Sequence, residues 1–475
     1  MGKLYIFAIG GTGSRVLKAL TMLLAAGVRT NAEEIIPIII DPDAACGDKT
    51  DTVMLMNSYT TLHSALSHHP GSKIDAFSTP LRKLGFTNEY VMPMGANTNS
   101  TFGSYMQFDS LSDENRALVN MLFSADNQAA DMTIGFTGNP NIGSVVLNQF
   151  AASQEFMQFA SSFSPGDKIF IISSIFGGTG ASGFPLLLKN LRIIDPTLHI
   201  PNAATIQSAE IGAITVLPYF NVEPVEDATI DSDTFVSKTK AALSYYEKNL
   251  KGLNAHYYIA DPSRGQQQNN DGGVGQRNDA HFVELASALA AIDFANASFP
   301  NPNATVYKEF GIATDTDVIT LKDLAPQTYL QTARQLTEFT LTGKYIAETL
   351  MGSLTQQWLQ PYANTVLNGQ FYSTLQQFTM AFLNWLAGMD SPRHTRRFSP
   401  FVLGPAPGNV FGLVKGVQPT TLFMVSASNW DLFNHYLNKG DCSRQANQHG
   451  VGPEGKFLAH LLYGTKKVVT DKIKL

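Results

Sequence analysis

The sequence predicts an α/β protein built on a mostly parallel sheet, with a long central helix and a divergent, more helical C-terminal domain. Short apolar runs alternate with segments of helical spacing through the first three hundred residues, and a turn rich in Gly, Asn or Asp follows each run. This alternation is typical of parallel strands covered by helices on both faces. After about residue 305 the pattern changes to long helical stretches.

Short apolar runs bounded by turn residues predict the strands. The first run, Leu4 to Ile9, leads directly into glycines, and the second, Glu34 to Ile40, ends at Asp41. Ligands of parallel sheets sit beyond the carboxyl ends of the strands, so we expect a site at the turns that follow these runs. The predicted strands are 4–9, 34–40, 132–136, 168–174, 213–219 and 256–260.

Helical spacing without breakers predicts the helices. The segment Ala280 to Ala295 is apolar nearly all round, which indicates a central helix buried on most sides. We therefore expect a ligand-binding domain over 1–279, the central helix and its following loop over 280–304, and a C-terminal domain over 305–475. The predicted helices are 14–26, 183–191, 280–295, 324–360 and 371–389, with a polar surface loop at 266–278 and a further strand at 421–426.

Composition limits the class of protein. The 475 residues are 44% hydrophobic and 15% charged, which fits two or three globular domains. A net charge of −6 without a strong basic cluster argues against a nucleic-acid binder. Two cysteines support neither a disulfide framework nor a zinc cage and fit a cytoplasmic location. No apolar stretch of about 18 residues is present, so we expect no membrane span.

The densest glycine-rich turn lies between a predicted strand and a predicted helix. Four glycines and two hydroxyl side chains in seven positions provide many backbone and side-chain donors, which suits a diphosphate or triphosphate better than a simple turn. This turn consists of Gly177, Gly178, Thr179, Gly180, Ala181, Ser182 and Gly183.

Two further turns follow predicted strands. The first, Gly10-Gly11-Thr12-Gly13, suits an anion at a helix N-terminus, although a tight structural turn would need the same residues. It lacks the dinucleotide fingerprint, because Ala8 occupies the first glycine position, and no GK[ST] motif follows. The turn Gly135 to Gly143 fits a loop around a terminal phosphate, and an ordinary loop is the alternative.

These three turns, in this order, resemble the glycine loops of the tubulin/FtsZ superfamily. Residues 177–183 resemble its GGGTG[ST]G signature, with Phe176 in place of the first glycine and Ala181 before Ser182. Residues 135–143 (GFTGNPNIG) resemble GAGANPxxG of FtsZ. The resemblance covers about residues 1–300, and GGTGSR together with VELASALAAIDF is more similar still to divergent bacterial tubulin-like proteins.

The resemblance implies a site for GTP or GDP. Magnesium is expected to be held through the nucleotide phosphates, with no protein ligand assigned. The resemblance places the nucleotide base near the start of the predicted central helix, at His281 or the residues beside it. Packing at the end of that helix is the alternative role of His281. The implied nucleotide-binding residues are Gly10, Gly11, Thr12 and Gly13 at the α- and β-phosphates; Asp41 and Asp43 near phosphate, magnesium or ribose; Gly138, Asn139 and Pro140 at the γ-phosphate; Gly177, Gly178, Thr179, Gly180, Ala181 and Ser182 at the β-phosphate; and Asn278, Asp279 and Phe282 at the base.

One stretch departs from the family pattern. In the family, the loop after the core helix carries an acid that reaches the nucleotide of the next subunit. Here that loop, Asn296 to Ala304, contains no carboxylate. Asp293 still lies inside the helix, and Glu309 comes later in the sequence than the acid of the family does. Asparagine is a poor base at neutral pH, so we expect weak hydrolysis, with Glu309 as the candidate catalytic acid.

Three functional hypotheses follow. The first is a GTP-binding protein that assembles head to tail into filaments of identical subunits, with weak GTPase activity. The second is a nucleotide-gated scaffold or sensor that binds GTP with little hydrolysis and recruits a protein partner through its C-terminal domain. The third, a Rossmann-type dinucleotide enzyme, is disfavoured because both the fingerprint and the acidic ribose residue are missing.

Overall fold

A computed structural model describes most of the chain. The described residues are 2–43, 45–66, 74–84, 90–92, 100–136, 139–222, 232–261, 265–267, 273, 275–301, 303–309, 312, 315–404, 410–417 and 429–475. Its strands are β1 Leu4–Ile9, β2 Ile35–Ile40, β3 Lys168–Ser174, β4 Glu210–Val216, β5 Phe220–Val222, β6 Ala255–Ile259, β7 Gly265–Gln267, β8 Val306–Glu309, β9 Val318–Ile319 and β10 Arg397–Phe398.

The α-helices alternate with these strands in the first part of the chain and dominate the second part. They are α1 Gly10–Ala25, α2 Gly47–Leu66, α3 Phe102–Tyr105, α4 Asp113–Leu122, α5 Ala125–Ala129, α6 Pro140–Leu147, α7 Gln154–Ser162, α8 Gly178–Arg192, α9 Ala203–Ser208, α10 Ser232–Asn249, α11 Phe282–Asn296, α12 Pro326–Glu348, α13 Gln370–Met389, α14 Asn429–Leu437, α15 Gly440–His449 and α16 Gly452–Val468. Within the described part of the chain, none of them is long and apolar enough to cross a bilayer.

Six of the described strands form one parallel sheet in the order β2-β1-β3-β4-β6-β8. Isolated parallel bridges from Ile35 to Leu81 and from Ile39 to Val91 extend it beyond β2. The chain first builds outward from β1 to β2 and then returns to the other side of β1 with β3. The strand order therefore reverses between β1 and β3. Such a reversal opens a crevice beyond the carboxyl ends of the two strands.

Both faces of the sheet are covered by helices. On one face α1 and α11 lie side by side, and Phe294 of α11 packs against Phe170 of β3 with ring centroids 5.4 Å apart. On the other face Phe159 of α7 packs edge-on against Phe7 of β1 at 5.1 Å. All six residues of β1 are buried, as their continuous apolar run requires.

Helix α11 runs through the middle of the molecule. Thirteen of its fifteen residues are buried, which confirms the prediction from its all-round apolar pattern. Helix α12 packs against α13 and α16, and both α13 and α16 pack against α2. Phe77 lies at this junction, where its ring contacts those of Tyr59, Phe339 and Phe378 at centroid distances of 5.4, 5.8 and 5.1 Å.

The predicted α/β architecture with its parallel sheet, central helix and more helical C-terminal part is confirmed. The strand predicted over 132–136 is wrong, because Met132–Ile134 is a 3₁₀ turn. The Asp131 carboxylate accepts from the Thr133 backbone and hydroxyl at 2.8 and 2.7 Å and turns the chain there.

The single helix predicted over 324–360 is also wrong. Helix α12 ends at Glu348, and Leu350–Ser353 with its Gly352 continues as a 3₁₀ turn. The strand predicted over 421–426 lies outside the described residues.

Replacing Gly212 by Ala should destabilise the fold by about 1–3 kcal/mol, because the added carbon overpacks the core. Gly212 lies in the middle of β4, where a Cβ would stand 2.5 Å from Cδ2 of Phe294. Urea denaturation measures the loss, and Gly352→Ala, which has open space around it, is the matched control. Adding Phe294→Leu to Gly212→Ala should recover part of the loss. Strictly additive losses would contradict this packing of α11.

Candidate functional site

Two glycine-led helices begin side by side at the reversal of strand order. Helix α1 starts at Gly10 directly after β1, and α8 starts at Gly178 shortly after β3. The two turns touch, since a Cβ on Gly10 would lie 3.4 Å from Cβ of Thr179. The residues before the two helices, Ile9 and Gly177, provide no side-chain cap. The first backbone N–H groups of both helices therefore point into the crevice, where they suit an anion.

A third helix N-terminus is packed against α8. Helix α6 starts at Pro140, and a Cβ on its Gly143 would lie only 2.2 Å from Oγ of Ser182. The Ser182 hydroxyl is buried and donates to the Gly178 carbonyl at 2.7 Å. Of the two predicted hydroxyl donors, half-buried Thr179 therefore lies at the crevice, and Ser182 lies in the packing between α6 and α8.

The acidic turn after β2 lies next to these loops. Asp43 is buried and its carboxylate accepts from the backbone N–H groups of Ala45 at 3.0 Å and Gly273 at 2.7 Å. A Cβ on Gly135 would lie 3.8 Å from Cβ of Asp43, which brings the 135–143 segment to the same place. The structure thus gathers the turns that the sequence places far apart.

Asp41 is a buried carboxyl in the same turn. Burial raises its pKa from the ordinary 3.8 to about 6, against the opposing effects of the Lys49 cation and of the Asp43 backbone N–H. The Lys49 ammonium is itself buried and donates to the Asp43 carbonyl. Sequence reasoning missed Lys49, which no glycine motif includes, although it lies in the first turn of the helix that follows.

A polar segment closes one side of the crevice. The Gln276 carbonyl accepts from the Asp48 backbone at 3.0 Å, and its side-chain Nε2 lies 3.8 Å from where a Cβ on Gly11 would stand. Asn278 donates its backbone N–H and its Nδ2 to the Asp48 carboxylate, both at 3.3 Å. The sequence predicted Asn278 but missed Gln276, two residues earlier in the same polar run.

A buried charge network ties α1 to the start of α11. The Arg15 guanidinium is ion-paired with Glu284, lies 3.9 Å from the Asp48 carboxylate and donates to the Asp279 carbonyl at 2.7 Å. Glu284 also accepts from the Tyr219 hydroxyl at 3.1 Å. The core helix is thereby anchored one turn from the first glycine loop.

His281 and Phe282 serve the start of α11. His281 Nδ1 accepts from the Val283 backbone at 3.1 Å and caps the helix. Burial, with His394 and Arg15 nearby, lowers the pKa of His281, so its ring is neutral. Phe282 is buried and packs on Phe398 with centroids 5.0 Å apart. The structure thus places His281 in its alternative role of helix-end packing, and it places Phe282, which was predicted at the base, in packing as well.

The loop after α11 lies at the opposite edge of the sheet. The Ala297 carbonyl accepts from Lys168 Nζ at 2.6 Å, and the Phe299 N–H donates to Glu210 at 3.3 Å. Lys168 and Glu210 are the first residues of β3 and β4, so this edge carries the amino ends of the strands. Glu309, in contrast, is the exposed last residue of β8, at the carboxyl edge. The structure does not bring Glu309 to the acid-free loop.

Most predicted site residues do come together at the carboxyl edge of β1, β2 and β3. They are Gly10, Gly11, Thr12, Gly13, Asp41, Asp43, Asn139, Pro140, Gly177, Gly178, Thr179, Gly180, Ala181, Ser182 and Asn278. Gly138 lies outside the described residues. No three His, Cys, Asp or Glu side chains converge as a metal cage within the described ranges.

Asp41→Asn should stabilise the ligand-free protein at neutral pH. A carboxyl whose pKa is raised by folding opposes folding above that pKa, so stability falls as pH rises from 3.8 to about 6. The amide removes this effect and should raise the free energy of unfolding at pH 7 by up to about 3 kcal/mol, at ~1.4 kcal/mol per pKa unit. Denaturation between pH 4 and 7 measures it, with the exposed Asp315→Asn as the control. Equal effects of the two changes would contradict the burial of Asp41.

No protein-family model matches the chain, and no curated protein sequence matches it. Among solved structures, the GTPγS-bound protofilament of CetZ2 from Haloferax volcanii overlaps 62% of this chain and 58% of its own, with 12% identity and a TM-score of 0.30. CetZ from Methanosaeta thermophila overlaps 62% of this chain and 51% of its own, with 15% identity and a TM-score of 0.27. The overlap thus spans little more than half of either protein. Neither likeness bears on the function of this chain.

Proposed function

We propose that this chain is a tubulin/FtsZ-like protein that binds GTP in the crevice between β1 and β3 and assembles head to tail with copies of itself. The observation that carries the proposal is the contact between the N-termini of α1 and α8 at the reversal of strand order. Two uncapped helix N-termini, with a third beside them, offer more anion-binding N–H groups than a single phosphate needs. The three phosphates of a nucleoside triphosphate would accept hydrogen bonds from these N–H groups.

The polar side of the crevice supports guanine as the base. The Asn278 amide group donates to Asp48, which leaves its carbonyl oxygen as an acceptor held in a fixed orientation. Guanine presents N1–H and N2–H donors on the edge that such an acceptor would meet. Magnesium would be held by phosphate oxygens, with the Asp41 and Asp43 carboxylates as the acidic groups beside them.

The two opposed edges of the sheet support head-to-tail assembly. The glycine loops lie at the carboxyl edge, and the loop 296–304 lies at the amino edge. A contact between two unlike surfaces of identical subunits does not close on itself unless the rotation makes a ring, so it produces filaments. We also propose that the protein is cytoplasmic and that its helical C-terminal part binds a partner protein.

A second candidate function is a nucleotide-gated scaffold that binds GTP and hardly hydrolyses it. The specific observation in its favour is the absence of a carboxylate from the sequence 296–304.

Gly11→Asp should abolish tight GTP binding without unfolding the protein. Gly11 has open space around it, with Gln276 Nε2 the nearest atom at 3.8 Å, so a side chain is accommodated. A carboxylate in the first turn of a helix favours the helix and repels a phosphate, so affinity should fall at least about tenfold. Fluorescence titration with a labelled GTP analogue measures this, and thermal melting verifies the fold. Gly11→Ala is the matched control. If both variants bind alike, the phosphates do not lie at α1.

Light scattering and phosphate release should separate the two candidate functions. A filament-forming GTPase should scatter with GTP and with a nonhydrolysable analogue, less with GDP, and should release phosphate from GTP. Tight GTP binding with neither scattering nor phosphate release would establish the scaffold in its place.

A further inference from the structure

A pocket of about 670 Å³ opens at the amino edge of the sheet, beside the acid-free loop. It lies between the starts of β3 and β4 and is bordered by Ser298 of that loop. Its charged lining residues within the described part of the chain are Asp167, Lys168 and Glu210. The site at the carboxyl edge uses none of them.

Of the two carboxylates of this pocket, one has a structural role and the other is accessible to an incoming molecule. Asp167 is buried and accepts from the backbone N–H groups of Lys3 at 2.8 Å and Ser164 at 2.9 Å, which fixes the turn before β3. The Glu210 side chain keeps 30% of its surface exposed. Glu210 is therefore the carboxylate that this pocket presents to an incoming molecule.

Glu210 is also held in place. One oxygen is ion-paired with Lys168 Nζ at 2.8 Å, and the other accepts from the Phe299 N–H at 3.3 Å. Lys168 is itself fixed by the Ala297 carbonyl and lies over the rings of Phe294 and Phe299 at 5.5 and 5.7 Å. A carboxylate has about four acceptor positions, so Glu210 can hold a water molecule in addition to these two partners.

We propose that Glu210 completes the nucleotide site of the next subunit and orients the water that attacks GTP there. This inference rests on the proposed GTP binding and head-to-tail assembly. The water oxygen attacks the γ-phosphorus, and the bond from that phosphorus to the β–γ bridging oxygen breaks with its electron pair leaving on GDP. The proton of the water passes to Glu210 and from there to solvent, and inorganic phosphate is released.

The direction of the strands determines whether Glu210 or Glu309 can act on the next subunit. In a head-to-tail contact the amino edge of one subunit faces the carboxyl edge of the next, so a group that acts on the neighbour must lie at the amino edge. Glu210 begins β4 at that edge, beside the loop 296–304. Glu309 ends β8 at the carboxyl edge, three strands away from β3. Glu210 therefore occupies the position that the loop sequence leaves without an acid.

Glu210→Gln should lower GTP turnover by about 100-fold, the scale of a lost general base, with GTP affinity and GTP-dependent pelleting retained. The matched control is Glu34→Gln, since Glu34 directly precedes β2 at the same edge and pairs with Arg82 outside the pocket. It should leave turnover unchanged. Turnover of Glu210→Gln equal to wild type overturns the inference, as does wild-type protein that pellets with GTP and releases no phosphate. Wild-type protein that does not bind GTP overturns the proposed function itself.

Mixing two inactive variants tests whether Glu210 acts across the contact. Glu210→Gln keeps its nucleotide site, and Gly11→Asp keeps its Glu210. A mixture should regain phosphate release, because a Gly11→Asp subunit can present Glu210 to GTP held by a Glu210→Gln subunit. Thermal melting verifies that both variants fold. Two folded variants that pellet together with GTP and remain inactive overturn action in trans.

Discussion

The contact between the first turns of α1 and α8 is the constraint on which the geometry of the crevice depends. The two turns meet because the strand order reverses between β1 and β3. Gly10 has a φ of +71°, which other residues rarely adopt, and a Cβ there would lie in van der Waals contact with Cβ of Thr179 at 3.4 Å. A Cβ on Gly180 would lie 2.6 Å from the Ser174 carbonyl, so the second turn also folds tightly onto its strand. The same glycines that allow this approach leave the backbone N–H groups open to an anion.

Charge buried around this contact carries a desolvation cost that opposes folding. Asp41 is held in a site that raises its pKa, and Arg15 is compensated by Glu284 and by the more distant Asp48. Buried ion pairs contribute little net stability because desolvation offsets their attraction, and losing one partner is costly. Their effect here is geometric, since they fix α1, α2 and α11 relative to one another at the crevice.

Sequence reasoning recovered what depends on local pattern. Continuous apolar runs predicted the central strands, and the all-round apolar pattern predicted α11. It failed where a single side chain decides, as when the Asp131 carboxylate turns a β-like run into a 3₁₀ turn. It named Phe282 for the base because it cannot show that Phe398, far along the chain, covers that ring. The loop 296–304 could be recognised as lacking an acid, but only the strand directions place Glu210 beside it.

Helix α11 runs from the carboxyl edge of the sheet to its amino edge. Its fifteen residues span about 22 Å at 1.5 Å per residue. At one end Glu284 is ion-paired with Arg15, one turn from the first glycine loop. At the other end Asn296 accepts from the Asn31 N–H at 2.6 Å, and the next residue binds Lys168, the partner of Glu210. Direct contacts through α11 therefore link Arg15 at the carboxyl edge to the Lys168–Glu210 ion pair at the amino edge. Under the proposed function, this chain of contacts connects the edge that would bind a nucleotide to the edge that would act on the neighbour's nucleotide.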